Sequence, residues 1–125
     1  MSRLLSVALT ETAVRAQTKT VTRRLGWWRD KNGRLLIKPG DTLTLCRKVM
    51  GRKPDEPLVR ICDVRVTDVD RIKLNDPRWL TLADVAREGF EGWWPADFLA
   101  FFTEQMRCPP DTFITRIAWR YEEVA

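Results

Sequence analysis

The sequence predicts an α+β domain, a small curled sheet with helices at its side, and three observations carry that reading. Apolar and polar residues alternate in several short runs, the mark of half-buried strands. Two later segments instead space their apolar residues as helices do. The resulting order is strand, helix, several strands, two helices, strand, with neither an internal repeat nor a linker to divide it. A chain of 125 residues, 44% hydrophobic and 31% charged, is long enough to bury one real core. Residues 1–125 are therefore read as a single domain.

Each element has its own signal. Residues 3–9 form a short apolar run suited to a buried strand. Thr10 can cap a short helix over 10–16, with Glu11 well placed in its first turn. The basic stretch Gln17-Thr18-Lys19-Thr20-Val21-Thr22-Arg23-Arg24 follows, then Leu25-Gly26-Trp27-Trp28 and a polar loop through Asn32-Gly33. Lys38-Pro39-Gly40-Asp41 reads as a turn, and 42–48 alternates as a strand. Residues 51–57, rich in glycine, proline and charge, form a hairpin-like loop. The longest strand candidate is 58–69, with Cys62, Val64 and Val66 on one face. Thr81 and Asp84 resemble a capping box. They open a helix striped by Leu82, Val85, Ala86 and Phe90 and closed by Gly89 and Gly92. Pro95 suits the first turn of another helix, where Phe98, Leu99, Phe101, Phe102 and Met106 recur at helical spacing. Residues 112–122 alternate as a closing strand.

Composition bounds the chemistry. The chain has no histidine, so triads and metal sites built on imidazole are excluded, and catalysis must run on Lys, Thr, Ser, Asp, Glu, Tyr or Cys. Cys46, Cys62 and Cys108 are odd in number and far apart, which indicates neither a disulfide framework nor a zinc knuckle. Cys46 and Cys62 fall in apolar strand patterns and are expected to be buried thiols. A net charge of +5 and a pI near 9.5 favour polyanionic partners. No apolar run reaches the length of a membrane span, and the N-terminal residues turn polar too soon for a secretory signal. A soluble cytoplasmic protein is the expectation.

The basic stretch is the centre of interest. In an extended strand Lys19 and Thr22 would point to opposite faces, so they converge only if the backbone turns between them. Such a turn would gather an amine and a hydroxyl beside Arg23 and Arg24. Three uses fit: a phosphate grip, a lysine of lowered pKa acting as a base, or a solvated basic loop. Glu88 sits off the apolar stripe of its helix, so periodicity alone makes it a surface residue. Of Trp27-Trp28 and Trp93-Trp94, one ring of each pair is expected in a core and one, Trp28 and Trp93, beside a bound base.

The run Gln17–Arg24 resembles the signature of the ASCH family, a branch of the PUA-like superfamily of small β-barrels tied to RNA. That signature reads Gly-x-Lys-x-x-Glu-x-Arg. Lys19 and Arg24 match it, while Gln17 replaces the glycine and Thr22 the glutamate. A threonine in that slot is similar to the ASCH subgroup that hydrolyses N4-acylated cytidines, whose proposed catalytic set is a lysine, this threonine and a later helix-borne glutamate. That glutamate falls here at Glu88, within Asp84-Val85-Ala86-Arg87-Glu88-Gly89. The Lys-Pro-Gly-Asp turn and the closing strand are also usual in the family.

The resemblance implies a PUA-like barrel with flanking helices and a metal-free, cofactor-free amidohydrolase of N4-acetylcytidine or related acylated cytidines. Lys19, Thr22 and Glu88 would be catalytic. Thr20, Arg23, Arg24, Trp28 and Trp93 would bind substrate, and backbone N–H groups of residues 20–22 would serve as oxyanion donors. The implied partner is a small acylated nucleoside, with RNA as the alternative and the chain a monomer or weak dimer. A non-catalytic RNA-binding module is the second reading. A metal-dependent ribonuclease is the third, weakened because the sequence shows no compact carboxylate cluster, Asp68 and Asp70 being no more than a pair.

Overall fold

The structure, a computed structural model, describes residues 3–122. Five strands make one mixed sheet: β1 (Arg3–Ser6), β2 (Val21–Leu25), β3 (Thr42–Cys46), β4 (Arg60–Lys73) and β5 (Phe113–Tyr121). Their order is β1-β3-β4-β5-β2. Only β1 and β3 run parallel; the other neighbours are antiparallel. The sheet curls into an open half-barrel, as strand twist and bulges favour. The helices are α1 (Glu11–Arg15), entered through a 3₁₀ turn over Ala8–Thr10, then α2 (Leu82–Arg87) and α3 (Pro95–Met106). Among the described residues no helix is long and apolar enough to cross a membrane.

A register shift between Val66 and Asp68 in β4 decides how the sheet is used. Side chains alternate along a strand, so one extra residue exchanges the faces. Before the shift Val64 and Val66 enter the core inside the curl, with Leu5, Val14, Leu43, Leu45, Ile117 and Trp119. After it Ile72 joins a second core on the opposite face, with Leu74, Val85, Phe98, Phe102 and Ile114. β5 serves both, sending Ile117 and Trp119 to the first core and Ile114 to the second. The second core holds α2 and α3 against the sheet, and the edge strand β2 lies where the two meet the start of the chain.

Several expectations from sequence are adjusted at element ends. The first strand stops at Ser6, because residues 8–10 wind into the 3₁₀ turn. Thr10 occupies the N-cap position of α1 without a side-chain capping bond, whereas Thr81 does accept from the Asp84 backbone N–H at 3.1 Å. Leu82, placed on the apolar stripe of α2, is 53% exposed, and the buried positions of this short helix are Asp84 and Val85. Of the two strand cysteines, Cys46 is buried but Cys62 only half-buried.

Candidate active site

The basic stretch does turn, but earlier than the sequence suggests. Gln17 adopts φ +60°. The Thr18 N–H reaches the Ala13 carbonyl at 2.8 Å and the Gln17 N–H reaches Val14 at 2.9 Å. This is the Schellman ending of a helix, whose left-handed residue is usually glycine. Gln17 therefore holds a backbone shape that usually falls to glycine. Residues 18–20 leave the helix, and Val21–Leu25 pair as β2 with β5.

Lys19 is fastened from behind by the closing strand. Its carbonyl accepts from Trp119 Nε1 at 3.0 Å and from the Tyr121 hydroxyl at 2.5 Å. Its amine is buried at 3% exposure, donates to the Glu88 carbonyl at 2.6 Å and lies 3.7 Å from Glu88 Oε1. Burial pushes this amine down to about 8. Arg24 and Arg23 reinforce the shift and the Glu88 carboxylate opposes it.

Glu88 is brought in by the end of α2, where it is the C-cap residue and 5% exposed. Its Oε1 accepts from the Arg23 backbone N–H at 3.0 Å and its Oε2 from Arg23 Nη1 at 2.9 Å. All these bonds are donated to the carboxylate. In this geometry both Glu88 carboxyl oxygens act as acceptors held by Arg23. Gly89 lets α2 end this close to α1: its φ is +107°, and a Cβ there would stand 2.9 Å from Thr10 Cγ2.

Arg23, expected to contact substrate, lines the cavity with its guanidinium engaged by the two acids of the α2 region. Its side chain is fully buried, and Nη2 donates to Asp84 Oδ2 at 2.5 Å and to the Trp79 carbonyl at 3.0 Å. Arg116, its partner in register on β5, donates to Asp84 through Nε at 3.1 Å and Nη2 at 2.5 Å. Two like charges side by side on a sheet would repel, and Asp84 and Glu88 of α2 compensate them. Burial alone would raise the Asp84 carboxyl, but the Arg116 hydrogen bonds and the Arg23 charge outweigh it and hold that group below its usual value. Arg116 also lies against the Trp79 ring, 4.3 Å from its centre.

Arg24 faces the other side of β2, with Thr22. Its Nε donates to Thr22 Oγ1 at 3.2 Å and its Nη2 to the Ser6 carbonyl at 2.6 Å. The Thr22 hydroxyl thus receives a cationic donor on its oxygen and keeps its own proton to give.

Lys19, Thr22, Arg23, Arg24 and Glu88 line one cavity of about 230 Å³ between the Ser6–Thr10 segment, β2 and α3. Phe90, Phe98, Phe101, Phe102 and Met106 complete its walls. The remaining expected binding residues lie elsewhere. Trp28 packs on the inner core and donates to the Leu25 carbonyl at 3.3 Å. Trp93 stands behind the cavity wall, 4.9 Å from Phe90 and 5.6 Å from Phe101 between ring centres. Thr20 donates its N–H to the Arg87 carbonyl, and its own carbonyl accepts from the Trp119 N–H. With the Arg23 N–H on Glu88, two of the backbone donors near this turn are already committed. The phenylalanine stripe of α3, marked in the sequence only by its helical spacing, both packs the second core and faces the cavity. The spacing alone carries no signal that separates the two.

No family model matches the chain, and no curated protein matches it by sequence. Among solved structures, a protein from Enterococcus faecalis assigned to the DUF984 family superposes with a TM-score of 0.65, covering 97% of this chain and 80% of that one at 16% identity. An ASCH domain from Lactobacillus crispatus gives a TM-score of 0.59 over 96% of this chain and 79% of that one, at 15% identity. Likeness at these identities establishes the fold. The chain has an ASCH-like fold, the curled mixed sheet with flanking helices of the PUA-like barrels.

Proposed function

We propose that the cavity hydrolyses the N4-acyl amide of an acylated cytidine. The observation that carries this reading is a buried lysine amine, lowered to about 8, in one cavity with a threonine hydroxyl held by an arginine. At pH 7 about a tenth of such an amine is neutral. A neutral amine can keep donating to Glu88 while its lone pair accepts the Thr22 proton. Thr22 Oγ then attacks the acyl carbon, and Arg24 stabilises the oxygen as its proton departs. The resulting Lys19 ammonium returns the proton to N4 as the C–N bond breaks, releasing cytidine. Water, activated by the same amine, cleaves the acyl-threonine ester, so the net products are a carboxylic acid and cytidine. Direct attack by water activated by Lys19 and Thr22 uses the same groups. Glu88 accepts from the substrate N4–H, since a carboxylate offers about four lone-pair sites and Arg23 occupies two. The cavity is smaller than the roughly 300 Å³ at the lower end of drug-sized sites. That suits a base with its acyl group inside and the sugar toward the mouth.

A second reading, a non-catalytic RNA-binding module, is favoured by the net charge of +5 and by Phe113. This ring is 47% exposed and has Arg71 and Lys73 at 4.7 and 5.6 Å from its centre. The two readings separate in one set of assays. Incubation with N4-acetylcytidine, followed by ultraviolet spectroscopy, should show conversion to cytidine that Thr22→Ala abolishes. Titration of a labelled RNA in moderate salt tests the other. Binding of RNA without any amide turnover would replace the first reading by the second.

A further inference from the structure

We propose, resting on the amidohydrolase reading, that the acyl group this site prefers is a medium-length or aromatic one and not acetyl. The cavity has two ends of different chemistry, and α3 is the ruler between them. Near its start Phe98 lies against Arg23, 5.6 Å from ring centre to guanidinium carbon, at the polar end where Lys19 and Glu88 meet. Phe102 and Met106 follow at four-residue spacing, with Phe101 beside them, and all line the same cavity. From Phe98 to Met106 the helix rises about 12 Å. Across from α3 the wall is Val7, Ala8 and Leu9 of the 3₁₀ segment.

This end is apolar yet open. Leu9 is 74% and Met106 42% exposed, although both line the cavity. Phe90 packs against both Phe98 and Phe101, each with ring centres 5.4 Å apart. An acetyl group held at Thr22 would reach little of this surface. A hexanoyl chain running along α3 would cover Phe101, Phe102, Met106 and Leu9, and a benzoyl group would meet the phenylalanine rings. Each methylene removed from water favours binding by about fourfold. An apolar pocket discriminates by that property and not by hydrogen bonding.

The test compares kcat/KM for N4-acetylcytidine and N4-hexanoylcytidine in the wild type and in a Leu9→Ser, Met106→Ser double variant, whose changes fall on exposed side chains. The hexanoyl substrate should be preferred by about tenfold or more, and the preference should shrink severalfold in the variant. A preference for acetyl, or a preference the variant leaves intact, overturns the assignment of the apolar end. If neither amide is hydrolysed the amidohydrolase reading itself fails, and binding of the free acids then decides the inference alone. By calorimetry octanoate should bind at least about tenfold more tightly than acetate, and less tightly to the double variant. Equal affinities would show that this end of the cavity accepts no chain.

Discussion

Lys19 is kept where its charge is unwelcome, and that makes it testable at the scale of one residue. Its amine titrates near 8 in the folded protein, against about 10.4 in an unfolded chain. Between those values the unfolded state binds more protons, so the contribution of this group to stability rises with pH across that window. Below pH 8 both states are protonated and the penalty is fully present. Lys19→Met lacks the group. The unfolding free energy of wild type minus variant should therefore grow by roughly 2 kcal/mol from pH 8 to pH 10, and a flat difference would contradict a disfavoured ammonium. On the catalytic side, turnover of N4-acetylcytidine should rise with pH through about 8. Lys19→Arg, which keeps the charge but cannot deprotonate, should lose roughly a hundred- to ten-thousandfold. Full activity in that variant would leave the lysine only an electrostatic role. Gln17 offers a smaller check. A non-glycine residue at φ +60° carries strain that glycine relieves, partly offset by glycine's greater freedom when unfolded. Gln17→Gly should raise stability by up to about 1 kcal/mol in denaturant melts, without moving Lys19.

Among elements, α2 matters most and is only Leu82–Arg87 long. Too short to be stable alone, it is held by Val85 in the outer core and by Asp84 and Glu88 on two buried arginines. Asp84→Asn removes a carboxylate shared by Arg23 and Arg116 and leaves buried positive charge without its partner. The expected loss is about 3–5 kcal/mol in thermal or denaturant unfolding. A loss under about 1 kcal/mol would mean that the arginines find other partners. Because this network also fixes the Arg23 N–H and side chain on Glu88, the variant should disturb the site as well as the fold. The same network explains why replacing Arg23 is a poor way to probe nucleic-acid affinity, although the sequence offers it as a surface cation.

For the whole molecule, the sheet separates the cavity from an exposed aromatic ring flanked by cations. The cavity lies at the edge strand β2, whereas Phe113, Arg71 and Lys73 lie near the paired ends of β4 and β5. If RNA is bound, an exposed ring flanked by cations is the surface suited to stack a base and meet phosphate. Replacing Arg71 and Lys73 by alanine should flatten the dependence of RNA affinity on salt by about two phosphate contacts and leave the amide rate alone. An unchanged salt slope would move the contact elsewhere on the basic surface.

What the sequence determined by itself was the class of fold, the order of its elements and the candidate groups of the cavity. Alternation marked 42–48, 58–69 and 112–122, and the turn at Lys38–Asp41 and the loop at 51–57 bounded the first of them, because these signals are local. The absence of histidine and the resemblance at Lys19, Thr22 and Arg24 named the candidate chemistry. Tertiary structure decided which of those groups meet. Glu88, a surface residue by helical period, is buried because α2 ends on α1 through Gly89. Arg23 and Arg24 are neighbours in sequence but lie on opposite faces of β2, one locked to α2 and the other beside Thr22. The bulge in β4 sends Ile72 to a different core from Val66, a one-residue change that periodicity alone does not reveal. Local patterns set what each segment can be; which face is buried, and against what, depends on residues far apart in the chain.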